Sequence, residues 1–176
     1  MALLLHDIAL VAFAVLMAAA AVEDFRRLII PNALSLGLGL MWPLYLVAAP
    51  SLTGALAAVG CALAVFVVGA LCFSRGYIGG GDVKLLSVAT LWAGPAATPA
   101  LLAVTGLLGG VLALILLTPP GLQMWLAARA MLAPGKARSA AGEAGKDAVA
   151  PSPLQVPYGI AIAAAALIIT LPPNFS

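Results

Sequence analysis

Residues 83–118 read VKLLSVATLWAGPAATPALLAVTGLLGGVLALILLT, and after Lys84 the stretch holds no Asp, Glu, Lys or Arg. It is long enough for one extended helix or for two shorter ones. A helix that crosses a bilayer needs about 20 apolar residues. Gly94-Pro95 and Pro99 supply a break in the middle. Whether the chain turns there decides the side of the membrane on which every later residue lies. It therefore decides the fold.

Composition says that a membrane is involved. The chain has 176 residues, of which 64% are hydrophobic and 8% charged. A soluble domain carries about 25% charged residues. With a mean hydropathy of +1.17, this chain cannot cover a water-facing surface and must face lipid. Residues 28–74, 85–128 and 148–176 are free of Asp, Glu, Lys and Arg. Apolar helices are expected over about 7–22, 32–48, 52–73 and 156–170, with Pro172-Pro173 stopping the last. No Lys or Arg precedes Arg26, so the basic leader of a signal peptide is missing, and the first run reads as an uncleaved helix.

Charge selects between the two readings of the middle. With two helices, the first over about 83–93, the segments 23–31, 74–82 and 119–155 share one side. All eight basic residues (Arg26, Arg27, Arg75, Lys84, Arg129, Lys136, Arg138 and Lys146) then lie at or near that face. Basic residues prefer the cytoplasm. The expectation is an all-α polytopic membrane protein with six transmembrane helices, both termini outside, forming a single domain over 1–176. Residues 119–155 form a cytoplasmic loop. Within it, Leu122, Trp125, Leu126, Arg129 and Leu132 suggest an interfacial helix over 121–134. Residues 135–153, rich in Ala, Gly and Pro, read as a mobile part of that loop.

Two carboxylates stand at the ends of apolar runs. Asp24 lies in Glu23-Asp24-Phe25-Arg26-Arg27-Leu28-Ile29-Ile30-Pro31-Asn32, and Asp82 in Gly79-Gly80-Gly81-Asp82-Val83-Lys84. Ionisable groups are costly in or near lipid, and those kept there are functional candidates. In the six-helix layout both acids reach the cytoplasmic face at equal depth. A pair that meets in a poorly hydrated place can share a proton and activate water. Each acid also has a plain structural reading: Asp82 as the N-cap of its helix, and Asp24 as a solvated charge paired with Arg26 or Arg27. Glu23 is a rival acid, but on a helix it points about 100° away from Asp24. Asn32 reads as the N-cap of the second helix. Lys84 either snorkels to the interface or supports the acids.

Other chemistries find little support. Cys61 and Cys72 form no C-x-x-C pair and read as small hydrophobes. His6 has no partner at ligand spacing. No metal site, cofactor or nucleic-acid surface is expected, since no basic patch is interleaved with aromatics.

The two acidic motifs, together with Val156-Pro157-Tyr158-Gly159-Ile160-Ala161, resemble those of the type IV prepilin peptidases, aspartic proteases of the G-x-G-D type. The resemblance implies that Asp24 and Asp82 are the catalytic pair and that Gly79, Gly81 and Lys84 support the motif. The larger members carry a cytoplasmic insert with paired C-x-x-C motifs and a methyltransferase activity. Here the first helix begins almost at residue 1, and the chain looks like the short, peptidase-only form associated with Tad/Flp-type pili. The implied substrate is a prepilin or pseudopilin in the bacterial inner membrane, cut after a glycine at the cytoplasmic face. Its helix is expected to pack laterally, with Gly37, Gly39, Gly106, Gly109 and Gly110 permitting close approach. Two rival readings stand beside this one: a small proton-coupled transporter, and a noncatalytic subunit of a pilus or secretion assembly. Exact substrate and oligomeric state are not legible.

Overall fold

The computed structural model describes residues 2–48, 52–132 and 156–171, with side chains over 6–46, 52–128 and 156–171. The described residues are helical, with short connections and no strand. The helices are α1 (Ala2–Arg27), α2 (Asn32–Ala48), α3 (Leu52–Ser74), α4 (Gly80–Leu117), α5 (Pro119–Leu132) and α6 (Tyr158–Thr170). By length and composition α1, α3 and α4 can each cross a bilayer, and α6 is apolar but shorter. Residues 135–153, expected as a mobile loop, lie outside the described residues.

The runs over 32–48 and 52–73 became α2 and α3 almost as expected. α1 runs further than its apolar stretch, past Val22 to Arg27. The extra turn has local support: Arg27 Nε lies 3.1 Å from Glu23 Oε2, one turn back. Arg26 and Arg27 also complement the negative end of the helix dipole. Leu28 then takes a left-handed conformation (φ 54°), and its N–H donates to the Asp24 carbonyl at 2.8 Å. This is the single-bond helix stop that a glycine usually supplies. α5 begins at Pro119, two residues ahead of the expected start, with prolines where helical N–H groups would have no partner anyway.

The break in residues 83–118 is present. Gly94 has φ 72° and ψ 175° in the middle of α4, a region essentially confined to glycine. Its consequence follows from two contacts. Tyr158 lines the same cavity as Asp82. The Tyr158 ring also lies against Gly109, where an added β-carbon would come within 2.5 Å of Cε1. An unbroken helix would carry Gly109 about 40 Å from Asp82. The arm over 95–117 therefore runs back beside the arm over 80–93, and α4 is a helical hairpin turned at Gly94. The six-helix expectation required this reversal.

α4 is the centre of the bundle, flanked by α3, α6 and α2, while α1 packs on α2 and α6. The core joins Phe13, Met17 and Ala20 of α1, Leu38 of α2, Leu85, Ala89, Trp92 and Leu101 of α4, and Ile162, Ala165 and Ala166 of α6. Phe13 and Tyr45 flank Trp92, with ring centroids 4.7 and 5.4 Å away. The Trp92 indole N–H donates to the Leu38 carbonyl at 2.9 Å. Ser87, Thr90 and Thr98 return their hydroxyls to carbonyls one turn back, which satisfies them without water. α3 is the outlier. It leans on α4, and most of its large side chains are exposed, as befits a surface in hydrocarbon.

The small residues expected to admit a substrate helix divide. Gly109 is occupied by Tyr158, and a β-carbon on Gly37 would touch Leu16 at 3.7 Å. Gly39, Gly106 and Gly110 face open space. Trp125, expected at the interface, is buried in the bundle. His6, assigned no role, lies against the Tyr45 ring at 5.0 Å.

Candidate active site

Asp24 occupies the last turn of α1. Its inward face is set by the stripe Phe13, Met17, Ala20 and Asp24, all buried. Asp24 is 4% exposed, so it is no solvated surface charge. The neighbouring Glu23 points elsewhere and pairs with Arg27, as the helical rotation demands.

Beyond α1 the chain cannot coil on, because Pro31 biases the residue before it toward extended backbone. Ile29 turns outward and is exposed, whereas Ile30 turns inward and is buried. A β-carbon on Gly159, at the start of α6, would lie 2.8 Å from Asp24 Cγ and 2.9 Å from Ile30 Cδ1. The first turn of α6 thus closes over Asp24 because it carries no side chain there.

Asp82 sits three residues after the N-cap of α4, not at the cap itself. The cap is Gly79, extended at φ −69° and ψ 142°. The Gly79 main-chain N–H donates to the Asp82 carboxylate. An acid reaching back from the third helical position to the cap N–H is half of a capping box, and it anchors the carboxylate at the helix mouth. The glycines are matched to their neighbours. A β-carbon on Gly79 would come within 2.9 Å of Asp82 Oδ2, and one on Gly81 within 3.1 Å of Ile30 Cβ. On the approach side α3 ends in a Schellman turn, with Gly76 at φ 76°, its N–H on the Phe73 carbonyl and the Tyr77 N–H on the Cys72 carbonyl.

The two acids share one cavity of about 660 Å³. Asp24 and Asp82 line it together with Leu28, Ile29 and Ile30, the strip 76–81, Val156 and Tyr158. They are close enough that the charge of Asp24 acts on Asp82. Residues more than fifty positions apart in sequence thus meet at the same end of the bundle.

Of the supporting residues expected from sequence, Gly79 and Gly81 are in the wall. Lys84 is not. Its ammonium donates to the Asn32 side-chain oxygen at 2.8 Å. Asn32 therefore receives a lysine from α4 where a capping role for α2 was expected. Sequence reasoning gave no role to Ile30, Tyr158 or Gly159. Tyr158 and Gly159 stood inside a quoted motif, and Ile30 stood before a proline, but neither fact announces which atoms will touch.

Comparison with known proteins bears on the whole arrangement. Searches of curated proteins and of solved structures return no significant match. A family profile, described as the type IV leader peptidase family, matches residues 11–114. That span contains Asp24, Asp82 and the glycine strip, and it covers more than half of the 176 residues. The chain belongs to the type IV leader peptidase family.

Proposed function

We propose that this protein is an intramembrane aspartic endopeptidase in which Asp24 and Asp82 are the catalytic pair. It removes the leader peptide of type IV or Flp-type prepilins by cutting after a glycine at the cytoplasmic face of the inner membrane. The observation that carries this reading is the shared cavity, which Asp24 and Asp82 line together although they stand at the ends of different helices. Family membership supports peptidase activity in general; the aspartic chemistry, the substrate and the cut site are our reading.

The chemistry uses the pair asymmetrically. One carboxylate, ionised, accepts a proton from water as the water oxygen attacks the scissile carbonyl carbon. The other, protonated, donates to the carbonyl oxygen. Collapse of the tetrahedral species breaks the C–N bond, and the departing amine takes up a proton from the pair. A proton shared between two acids in one poorly hydrated site makes this division of labour natural.

Orientation follows from charge. Arg26, Arg27, Arg75 and Lys84 lie next in sequence to cavity residues or within two positions of them. Basic residues favour the cytoplasmic side, so the cavity faces the cytoplasm. Six crossings with both termini outside is the layout we infer, with the α4 hairpin supplying two of them.

The test is incubation of the purified protein with candidate prepilins from the same genome, followed by sequencing of the new N-termini. Asp24→Asn and Asp82→Asn should each insert normally and each lose cleavage. Retention of near-normal processing by either variant would refute the pair.

A further inference from the structure

The seat of Ile30 carries a step beyond the carboxylates and rests on the aspartic reading above. Ile30 is 7% exposed and belongs to the buried core. Its side chain has two ends, and each abuts a glycine. At one end, a β-carbon on Gly81 would meet Ile30 Cβ at 3.1 Å; Gly81 is the residue before Asp82. At the other, a β-carbon on Gly159 would meet Ile30 Cδ1 at 2.9 Å, and that same β-carbon would meet Asp24 Cγ at 2.8 Å. One apolar side chain thus bridges the mouth of α4, which carries Asp82, and the mouth of α6, which covers Asp24.

We propose that Ile30 is a positioning residue, a spacer that sets the separation of the Asp24 and Asp82 carboxylates. It has no polar atom and can take no part in proton transfer. Three features suit it to the role of a gauge. It is β-branched and stiff at χ1. Its backbone is held between the left-handed Leu28 and Pro31. The neighbours at its two ends, Gly81 and Gly159, carry no side chain, so the distance it imposes between them is measured against main chain.

The experiment uses the full-length protein in membranes and two substitutions. Ile30→Val keeps the β-carbon that faces Gly81 but removes the Cδ1 that faces Gly159. Ile30→Ala also keeps that β-carbon but removes both branches, including the Cγ1 that a Gly81 β-carbon would meet at 3.6 Å. Misplacement of reacting groups by about 1 Å costs on the order of a hundredfold in rate. The expected result is a fall in kcat of roughly tenfold for Ile30→Val and roughly a hundredfold for Ile30→Ala, with KM changed less than twofold. A rise in KM at constant kcat would overturn the proposal and make Ile30 a wall for substrate. Unchanged kinetics in both variants would also overturn it.

A second readout does not depend on turnover. In a Cys61→Ala, Cys72→Ala background, cysteines replacing Asp24 and Asp82 are joined with a short bifunctional methanethiosulfonate. Only inserted protein is scored. Adding Ile30→Ala should change the cross-linking rate several-fold, whereas an unchanged rate counts against the spacer. This measurement also separates the two claims. Full cleavage by Asp24→Asn would sink the catalytic reading and leave the cross-linking result standing. Inactive aspartate variants beside unaffected Ile30 variants would sink only the spacer.

Discussion

The Lys84 ammonium donates to the Asn32 side-chain oxygen across 2.8 Å, and that bond ties the two acidic motifs to each other. Asn32 ends the segment that begins at Asp24, and Lys84 follows Asp82 by two residues. The contact is outside the cavity and exposed. It braces the start of α2 against the first turn of α4.

Because that brace is exposed to water, its loss should be mild in energy. We expect Lys84→Ala to cost about 1 kcal/mol of stability and to lower cleavage several-fold by loosening the α2–α4 junction. Thermal unfolding in detergent and a prepilin cleavage assay on the same preparation check both parts. Asn32→Ala should reproduce the effect, and the double variant should add little to either single one.

Gly159 is a sharper case. Any side chain there must share space with the Asp24 carboxylate and the end of Ile30. Gly159→Ala is expected to insert and fold yet lose activity by on the order of a hundredfold. The measurement is kcat on a purified prepilin, alongside quantification of inserted protein. Wild-type activity in this variant would mean that the first turn of α6 does not hold Asp24.

The turn at Gly94 predicts a stability effect far from the chemistry. Its φ of 72° with ψ of 175° suits glycine alone, so Gly94→Ala should destabilise by about 1–3 kcal/mol. Equilibrium unfolding in denaturing detergent measures this. Ala93→Gly, one residue earlier and inside the helix, should cost only about 1 kcal/mol.

The return of the second arm of α4 rests on the seat of Tyr158 against Gly109, and a double-mutant cycle tests it. Gly109→Ala drives a methyl into the Tyr158 ring and should cost about 1–3 kcal/mol. In a Tyr158→Ala background the same methyl meets no ring, and most of that cost should vanish. The coupling expected between them is about 0.5–3 kcal/mol. Strict additivity would mean that the ring and the glycine are apart.

Much of this was legible before any coordinates. Long uncharged runs announced α2 and α3, because hydrocarbon demands length and tolerates little charge. Gly94-Pro95 marked the break in α4, and the positions of Asp24 and Asp82 at the ends of apolar runs allowed them to line one cavity. The failures have a common cause. The end of α1 was set early because apolarity stops at Val22, whereas the helix is prolonged by the Glu23–Arg27 pair. The structural alternative for Asp82 puts it at the N-cap itself, yet Gly79 caps and Asp82 reaches back to it. Asn32 was read locally, and its partner proved to be 52 residues away. The roles of Ile30, Tyr158 and Gly159 depend on close approach between helices with no sequence relation. Neither helical periodicity nor turn chemistry encodes that kind of contact.

α1 presents two adjacent acids, and only one of them faces the cavity. Glu23 is spent on Arg27, while Asp24 closes the buried stripe through Phe13, Met17 and Ala20. About 100° of rotation separates these fates. α1 therefore works as a counted ruler: one codon inserted between Ala20 and Glu23 would rotate the longer acid inward and Asp24 outward. Drift in side-chain identity along its lipid face is permissible, but drift in the tally of residues is not.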